Sequence, residues 1–480
     1  MKWDNPEFLR EYVAAIRNAS AAVFVGAGVS RSAGYVDWRE LLRKAATDIG
    51  LDVDKEPDLV AIAQYYKDHS GTRGPINQLL IEAFPDTADP TENHKLLASL
   101  PIRTLWTTNY DRLIEAGFKV VGKRLQTVVT RTNMATTTPD RDAVLFKFHG
   151  DIEQPDQTVL TKDDYELFHQ RPDAQLFTEA LKGDLVEKTF LFIGFSFEDP
   201  NLDYILGRIR VLMGESKRRH FWVVKEIDPA TATTPEEKTA LEYAKRKQQL
   251  RIKDLKRYGI TAVLIQDYSQ VTELLMRLGH LARLTRIFVS GAVHDPSPLG
   301  IVRVQELAEL IGKTVVENGG VVVSGFGKDI GPHVVYGAVQ AAHVSKRDYA
   351  RCIDIRPFPF MAPAAERPAL FTRHRQEMIS TCGAAVFLSG NKSDSTGGTI
   401  PSPGVQEEFD MCVKNAVYVI PLGCSGHVSE TIWNQVSSNQ KRFYPAHDLS
   451  APLAVIGSQA NSNADIIKAV KQMLEALTTI

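Results

Sequence analysis

Three short stretches carry side chains whose types and spacing suit joint chemistry: Gly26-Ala27-Gly28-Val29-Ser30, Thr107-Thr108-Asn109-Tyr110-Asp111 and Phe148-His149-Gly150-Asp151. The first is suited to cradle a phosphate, because the backbone N–H groups of Gly26, Ala27 and Gly28 meet an anion without side-chain obstruction and Ser30 adds a hydroxyl donor. The second sets an amide, Asn109, which can hold a water or hydroxyl by donating and accepting at once, beside a carboxylate, Asp111. The third offers His149 as a general base, since an imidazole of ordinary pKa, ~6.5, accepts a proton at neutral pH. A lone Gly-x-Gly is as often a tight turn, and a lone histidine more often a satisfied core residue. The set of three, in order, favours chemistry.

Each stretch follows an apolar run of strand type, Ala21 to Val25, Thr104 to Trp106 and Ala143 to Phe146, which puts its functional group at the carboxyl end of a strand. In open parallel sheets ligands bind at that edge. Further strand candidates are Thr189 to Phe195, Phe221 to Lys225 and Ile260 to Gln266, and a second series runs through Arg286 to Ser290, Val321 to Ser324, Ala384 to Ser389 and Val417 to Pro421. Strands alternating with amphipathic helical stretches predict an α/β chain with two parallel-sheet domains, 1–283 and 284–480. A helix is expected over Pro6 to Asn18, and an all-helical insertion over Val36 to Leu100. The charged stretch Glu236 to Lys256 keeps apolar residues at helical spacing and reads as a solvated amphipathic helix. Pro357 to Pro368 and Gly390 to Gly404 read as loops.

Length and composition narrow the function. A chain of 480 residues exceeds one core, and 56 Lys+Arg against 58 Asp+Glu, with no basic stripe, argue against a nucleic-acid surface. The start carries no apolar signal region and no run approaches the ~20 residues of a membrane helix, so a soluble cytoplasmic protein is expected. The four cysteines, Cys352, Cys382, Cys412 and Cys424, match neither a zinc ribbon nor a disulfide framework and read as core thiols; no metal is expected.

The glycine loop and its continuation, Ser32-Ala33-Gly34-Tyr35-Val36-Asp37-Trp38-Arg39, resemble the sirtuin signature, with Asp37-Trp38-Arg39 in place of Asp-Phe-Arg. The sirtuin Thr-Gln-Asn-Ile-Asp is similarly matched by Thr107 to Asp111, and His-Gly by His149-Gly150. The resemblance implies a Rossmann-like sirtuin domain that takes NAD as substrate. Gly26, Ala27, Gly28 and Ser30 would hold its phosphates, and Asn109 and Asp111 its nicotinamide-ribose end. His149 would be the base, and Ser196, in Gly194-Phe195-Ser196, a ribose contact. Cleavage of the nicotinamide glycosidic bond builds oxocarbenium character at the ribose carbon. Zinc-ribbon cysteines and an acyl-lysine cleft are missing, which turns the expectation from deacylation to hydrolysis.

In the second half, Ser290-Gly291-Ala292, Ser324-Gly325-Phe326-Gly327-Lys328 and the Gly397-Gly398 loop running to Gly404-Val405-Gln406-Glu407-Glu408 form another glycine-lined strand edge. It resembles the SLOG nucleotide-binding domains and the related phosphoribohydrolases. Their compact Pro-Gly-Gly-x-Gly-Thr is broken here, so binding is expected rather than cleavage. Gly291, Ala292, Lys328, Phe358, Arg375, Lys392, Gly404 and Glu408 are the candidate ligand residues. Arg375 and Lys392 would neutralise a pyrophosphate, Glu408 accept from ribose hydroxyls and Phe358 stack on a base.

Taken whole, a sirtuin-like half joined to a SLOG half resembles the NAD-consuming effectors of the bacterial Thoeris anti-phage system. The likeness extends to Thr91-Glu92-Asn93-His94, Leu160-Thr161-Lys162-Asp163-Asp164-Tyr165 and Asp199-Pro200-Asn201-Leu202-Asp203-Tyr204. It implies hydrolysis of NAD to ADP-ribose and nicotinamide, activated by a cyclic ADP-ribose isomer that a TIR-domain partner enzyme, ThsB, makes on infection. It also implies a homo-oligomer, a homotetramer or larger in that family. The rival readings are an NAD-dependent protein deacylase, a non-catalytic NAD and nucleotide sensor, and a C-terminal phosphoribohydrolase.

Overall fold

A computed structural model describes residues 1–85, 87–168, 170–197, 199–214 and 218–478. The chain divides into two compact units, Met1–Gly279 and His280–Ile480.

The first unit is built on seven parallel strands: β1 Ala21–Val25, β2 Thr104–Thr107, β3 Leu125–Val128, β4 Ala143–Lys147, β5 Thr189–Ile193, β6 His220–Lys225 and β7 Ile260–Ile265. Their order is β3-β4-β2-β1-β5-β6-β7. Every residue of β1 and β5 is buried, as their unbroken apolar runs require of strands covered on both faces. Register levels the four central strands. Lys147 lies opposite Thr107, Thr107 opposite Val25 and Val25 opposite Ile193, so the chain leaves all four along one row. Beyond β1 the chain goes to β2 on one side, whereas β5 leads to β6 on the other, which opens the sheet edge between β1 and β5.

The insertion between β1 and β2 is helical, in four pieces: Trp38–Asp48, Leu59–Ser70, Gly74–Ala83 and Glu92–Ser99. Leu41, Leu42, Ala45, Ile62, Ala63, Tyr66, Ile76 and Leu80 form its own small core, which also takes in Tyr110 and Leu160 from the loops beyond the sheet. The amino-terminal helix, Pro6–Arg17, is capped by Asn5 Oδ1, which accepts from the N–H groups of Glu7 and Phe8, and buries Phe8, Tyr12 and Ile16. The charged stretch forms the helix Pro235–Leu255.

The second unit holds five parallel strands, β8 Arg286–Ala292, β9 Val321–Ser324, β10 Ile353–Ile355, β11 Ala384–Ser389 and β14 Tyr418–Leu422, in the order β10-β9-β8-β11-β14. The segment expected to be a glycine-rich loop contains an antiparallel hairpin, β12 Asn391–Ser393 with β13 Thr399–Pro401. Its turn is tied by Asp394 Oδ1, which accepts from the N–H groups of Thr396 and Gly398. All four cysteines are buried, and burial pushes the thiols of Cys382 and Cys424 up to about 11.

Candidate active site

The glycine loop after β1 is shaped by its neighbour. Gly26 N–H donates to Ile193 O (2.9 Å) and Gly28 N–H to Gly194 O (3.0 Å). A Cβ on Gly26 would lie 2.3 Å from Gly194 O, and one on Gly28 2.9 Å from Gly194 Cα. Gly194 itself has φ +67°. The glycines are therefore required by the approach of two backbones at the opened edge. Two N–H groups expected to face a phosphate are spent on Ile193 O at the end of β5 and on Gly194 O just beyond it, and the short turns Ala27–Val29 and Arg31–Ala33 carry the chain onward.

Those turns deliver Ser30 to the end of β2. Ser30 Oγ donates to Asp111 Oδ2 (2.9 Å) and accepts from Asn109 Nδ2 (3.2 Å). Thr107 Oγ1 donates to Val25 O (2.8 Å) and accepts from Asn109 N–H (2.9 Å), which locks the turn that carries Asn109 to the end of β1. Asp111 Oδ1 accepts from Leu113 N–H (3.0 Å). Asn109 Oδ1 is left buried with no partner. A buried amide oxygen stays unmatched only at a cost unless a ligand or water completes it.

Beneath this turn lies a lysine with no exposed surface. Lys147 Nζ donates to Tyr110 O (3.1 Å) and Asp111 O (2.6 Å), and stands 2.6 Å from Asp151 Oδ2 and 3.5 Å from Glu115 Oε1. It ties the Asn109–Asp111 turn to the His149–Asp151 turn by one ammonium group. Burial pushes the Glu115 carboxyl up, against the pull of Lys147.

His149 is buried, 3% exposed. Its ring packs against Phe148, Tyr165 and Phe168, with centroids 5.4, 5.6 and 6.1 Å away. Burial holds its pKa below the ordinary histidine value, and the Asp199 carboxylate opposes that. His149 Nε2 lies 3.1 Å from Asp199 Oδ2, but off the line of a hydrogen bond. The helix Lys162–Phe168, which supplies Tyr165 and Phe168, is clasped to the helical insertion. Arg73 Nη1 donates to both oxygens of Asp164 (2.8 and 2.7 Å), and Lys67 Nζ to Asp163 Oδ2 (2.6 Å). A cavity of about 30 Å³ adjoins His149, lined also by Lys147, Gly150, Gln157 and Arg171. That is room for about one or two waters.

Ser30, Asn109, Asp111 and His149 are thus brought to one edge, and the sequence reading passed over Lys147 and Asp199 beside them. Lys147 interrupts an apolar strand run and Asp199 opens an Asp-Pro helix start, and these were the available signals. His94 is a further omission. Its Nδ1 accepts from Thr91 N–H (3.2 Å), and burial drives its pKa to about 4 against the pull of Asp111. Ser196 is exposed beyond β5.

In the second unit, Glu408 is the hub. Its Oε2 accepts from Ser290 Oγ (2.5 Å) and its Oε1 from Arg375 Nε (3.2 Å), while Arg375 Nη1 donates to Glu407 Oε2 (2.8 Å). Burial pushes the Glu408 carboxyl up, opposed by Ser290 and Arg375. The Arg375 guanidinium stacks on Phe358, 4.9 Å from the ring centroid, and closes on Gly404, whose added Cβ would stand 2.5 Å from Nη2. Gly291 is held under Ile330 and Leu388 O, and Ala292 ends β8. Lys328 and Lys392 are exposed, and neither pairs with a carboxylate among the described residues.

Both halves of the chain match known families. Residues 103–252 match the SIR2-like domain and residues 270–477 the Sir2- and TIR-associating SLOG family, so the class is a SIR2-like unit followed by a SLOG unit. The chain is 38% identical to the NAD(+) hydrolase ThsA of Bacillus cereus (strain MSX-D12) over 98% of each chain. It is 38% identical to the NAD(+) hydrolase ThsA of Cytobacillus dafuensis, over 99% of this chain and 97% of that one. To the NAD(+) hydrolase ThsA of Enterococcus faecium it is 36% identical over 99% of both. The chain belongs to the ThsA family.

Proposed function

We propose that the amino-terminal domain, residues 1–283, hydrolyses NAD+ to ADP-ribose and nicotinamide. The observation that carries this is the Ser30–Asn109–Asp111 network at the opened edge, with the Asn109 amide oxygen unmatched and a buried, neutral His149 on the adjoining turn. Full-length relatives named NAD(+) hydrolase support it. As the ribose–nicotinamide bond breaks, its electron pair discharges the pyridinium ring. A water adds to the ribose carbon, and His149 takes its proton and passes it to solvent. Asn109 Oδ1 accepts from a ribose hydroxyl, and Asp111 keeps Ser30 aligned.

Residues 284–480 we read as a sensor for a cyclic ADP-ribose isomer. Its pyrophosphate would compete with Glu407 and Glu408 for Arg375, its base would stack on Phe358, and the exposed Lys328 and Lys392 would add charge. Signal binding then raises NAD hydrolysis. With ThsB supplying the signal and the chain acting as a homotetramer, the outcome is NAD depletion in anti-phage defence. The burial of His149, Asn109, Asp111 and Ser30, none more than 6% exposed, supports a resting state that admits substrate only after rearrangement. No helix among the described residues is long and apolar enough to cross a membrane.

The test is nicotinamide release by Asn109→Ala and His149→Ala in the presence of the signal. Both lose turnover by at least ~10²-fold while still binding NAD. Full activity in either removes the mechanism.

A further inference from the structure

We propose that Asp199 is the positioning residue of the catalytic histidine: it fixes His149 with Nε2 bearing the hydrogen, leaves Nδ1 as the basic nitrogen, and stabilises the imidazolium that forms when Nδ1 is protonated. The proposal rests on the NAD hydrolase reading above.

The geometry divides the two oxygens of Asp199 between two tasks. Oδ1 caps the helix Pro200–Met213, accepting from Asn201 N–H (2.9 Å) and Leu202 N–H (3.4 Å). Oδ2 is turned to His149 Nε2 at 3.1 Å. Both side chains are nearly closed to solvent, 9% exposed for Asp199 and 4% for His149. In so dry a setting a carboxylate beside an imidazole selects the tautomer with hydrogen on the facing nitrogen. The cap also fixes the carboxylate, because the helix that it starts is anchored by the buried Leu202, Ile205 and Leu206. Asp199 reaches the site from the β5 side of the opened edge and His149 from β4, so the contact spans the two loops that flank the β1 and β2 turns.

Other groups around the ring do not perform this role. Tyr165 meets it edge-on at 5.6 Å, and burial holds its phenol neutral. Lys147 is consumed by Tyr110 O, Asp111 O and Asp151, and Arg171 shares the small cavity, where its Nη1 donates to Gln157 O at 3.5 Å. Asp199 is the carboxylate that faces His149 among the described residues. The present contact is off-line, so alignment requires a small rotation of the imidazole, which substrate closure can supply.

Asp199→Asn separates this role from the cap, because asparagine caps a helix as well as aspartate and keeps the shape. With isotope-labelled histidine and His149→Gln to assign its signal, the His149 titration is followed by NMR in wild type and in Asp199→Asn, without NAD. The expected result is a titration lower by at least ~1 pH unit in Asp199→Asn, with the thermal midpoint unchanged. The acid limb of kcat/KM for signal-activated NAD hydrolysis moves by the same amount, and kcat falls at least ~10-fold. An unmoved titration overturns the proposal whether or not the protein turns over NAD. A titration difference between the two proteins with no NAD hydrolysis by the wild type overturns the hydrolase reading instead.

Discussion

Gly26→Ala is the sharpest single perturbation of the opened edge. A Cβ at this position stands 2.3 Å from Gly194 O, 2.8 Å from Gly194 C and 2.9 Å from Phe195 Cα, all backbone atoms that cannot rotate away. Restoring ordinary contact means parting the β1 and β5 loops by about 1 Å, since favourable separations begin near ~3.5 Å. Two hydrogen bonds cross that gap, Gly26 N–H to Ile193 O and Gly28 N–H to Gly194 O. Overpacking costs ~1–3 kcal/mol and each weakened hydrogen bond up to ~1 kcal/mol, so the first unit should lose about 2–4 kcal/mol. The same shift moves Ser30, and with it Asn109 and Asp111, by enough to reduce turnover about 10²-fold. Denaturant unfolding and signal-activated nicotinamide release read the two effects. Gly183→Ala is the control, a helical glycine with nothing within 4 Å of its added Cβ, and should be neutral or stabilising by up to ~1 kcal/mol. If Gly26→Ala unfolds within ~0.5 kcal/mol of wild type and keeps its activity, the close approach of the two loops is not what requires glycine there.

Lys147→Met removes the ammonium but keeps the stem. It strands Asp151 and Glu115 in the interior, which should cost ~3–5 kcal/mol in urea unfolding of the first unit; a loss below ~1 kcal/mol would refute the tie between the two turns. Acid should weaken the same unit. His220 has a pKa lowered to about 3 and His94 to about 4, mainly by burial, so the unfolded chain takes up protons first once pH falls below ~6.5. Stability held above that pH is then lost, about 2 kcal/mol per histidine by pH 5, and an unfolding free energy that changes by less than ~1 kcal/mol between pH 7 and pH 5 would contradict the assignment. Arg375→Ala should raise the concentration of cyclic ADP-ribose isomer for half-activation at least ~10-fold, read from dose–response curves, and an unchanged midpoint would take Arg375 out of the signal site.

The central strands were legible because burial on both faces leaves unbroken apolar runs, as in Ala21–Val25 and Thr189–Ile193. The edge strands β3 and β10 were not, although β7 and β14 at the opposite edges were. Leu125–Val128 offers four residues with two half-exposed, and Ile353–Ile355 only three around a paired aspartate. Asn109, Asp111 and His149 were readable as chemistry because their types and spacing survive without structure, but the reason for Gly26 and Gly28 was not, since a sequence does not distinguish a glycine that admits phosphate from one that admits Gly194. Lys147 and Asp199 escaped because charge within or just beyond an apolar run is ordinarily solvated. Arg375 and Glu408 were singled out as surface charges around a ligand; in the fold they are first of all partners of each other, which only the packing of the helices Arg367–Ile379 and Pro403–Lys414 could reveal.

The most direct measurement is nicotinamide release from NAD by the purified full chain, with and without cyclic ADP-ribose isomers and with no acylated peptide. The account predicts turnover that rises on addition of a cyclic isomer, needs no peptide, and disappears in His149→Ala. Nicotinamide release that requires an acylated peptide, or NAD binding with no release under any of these conditions, would contradict it.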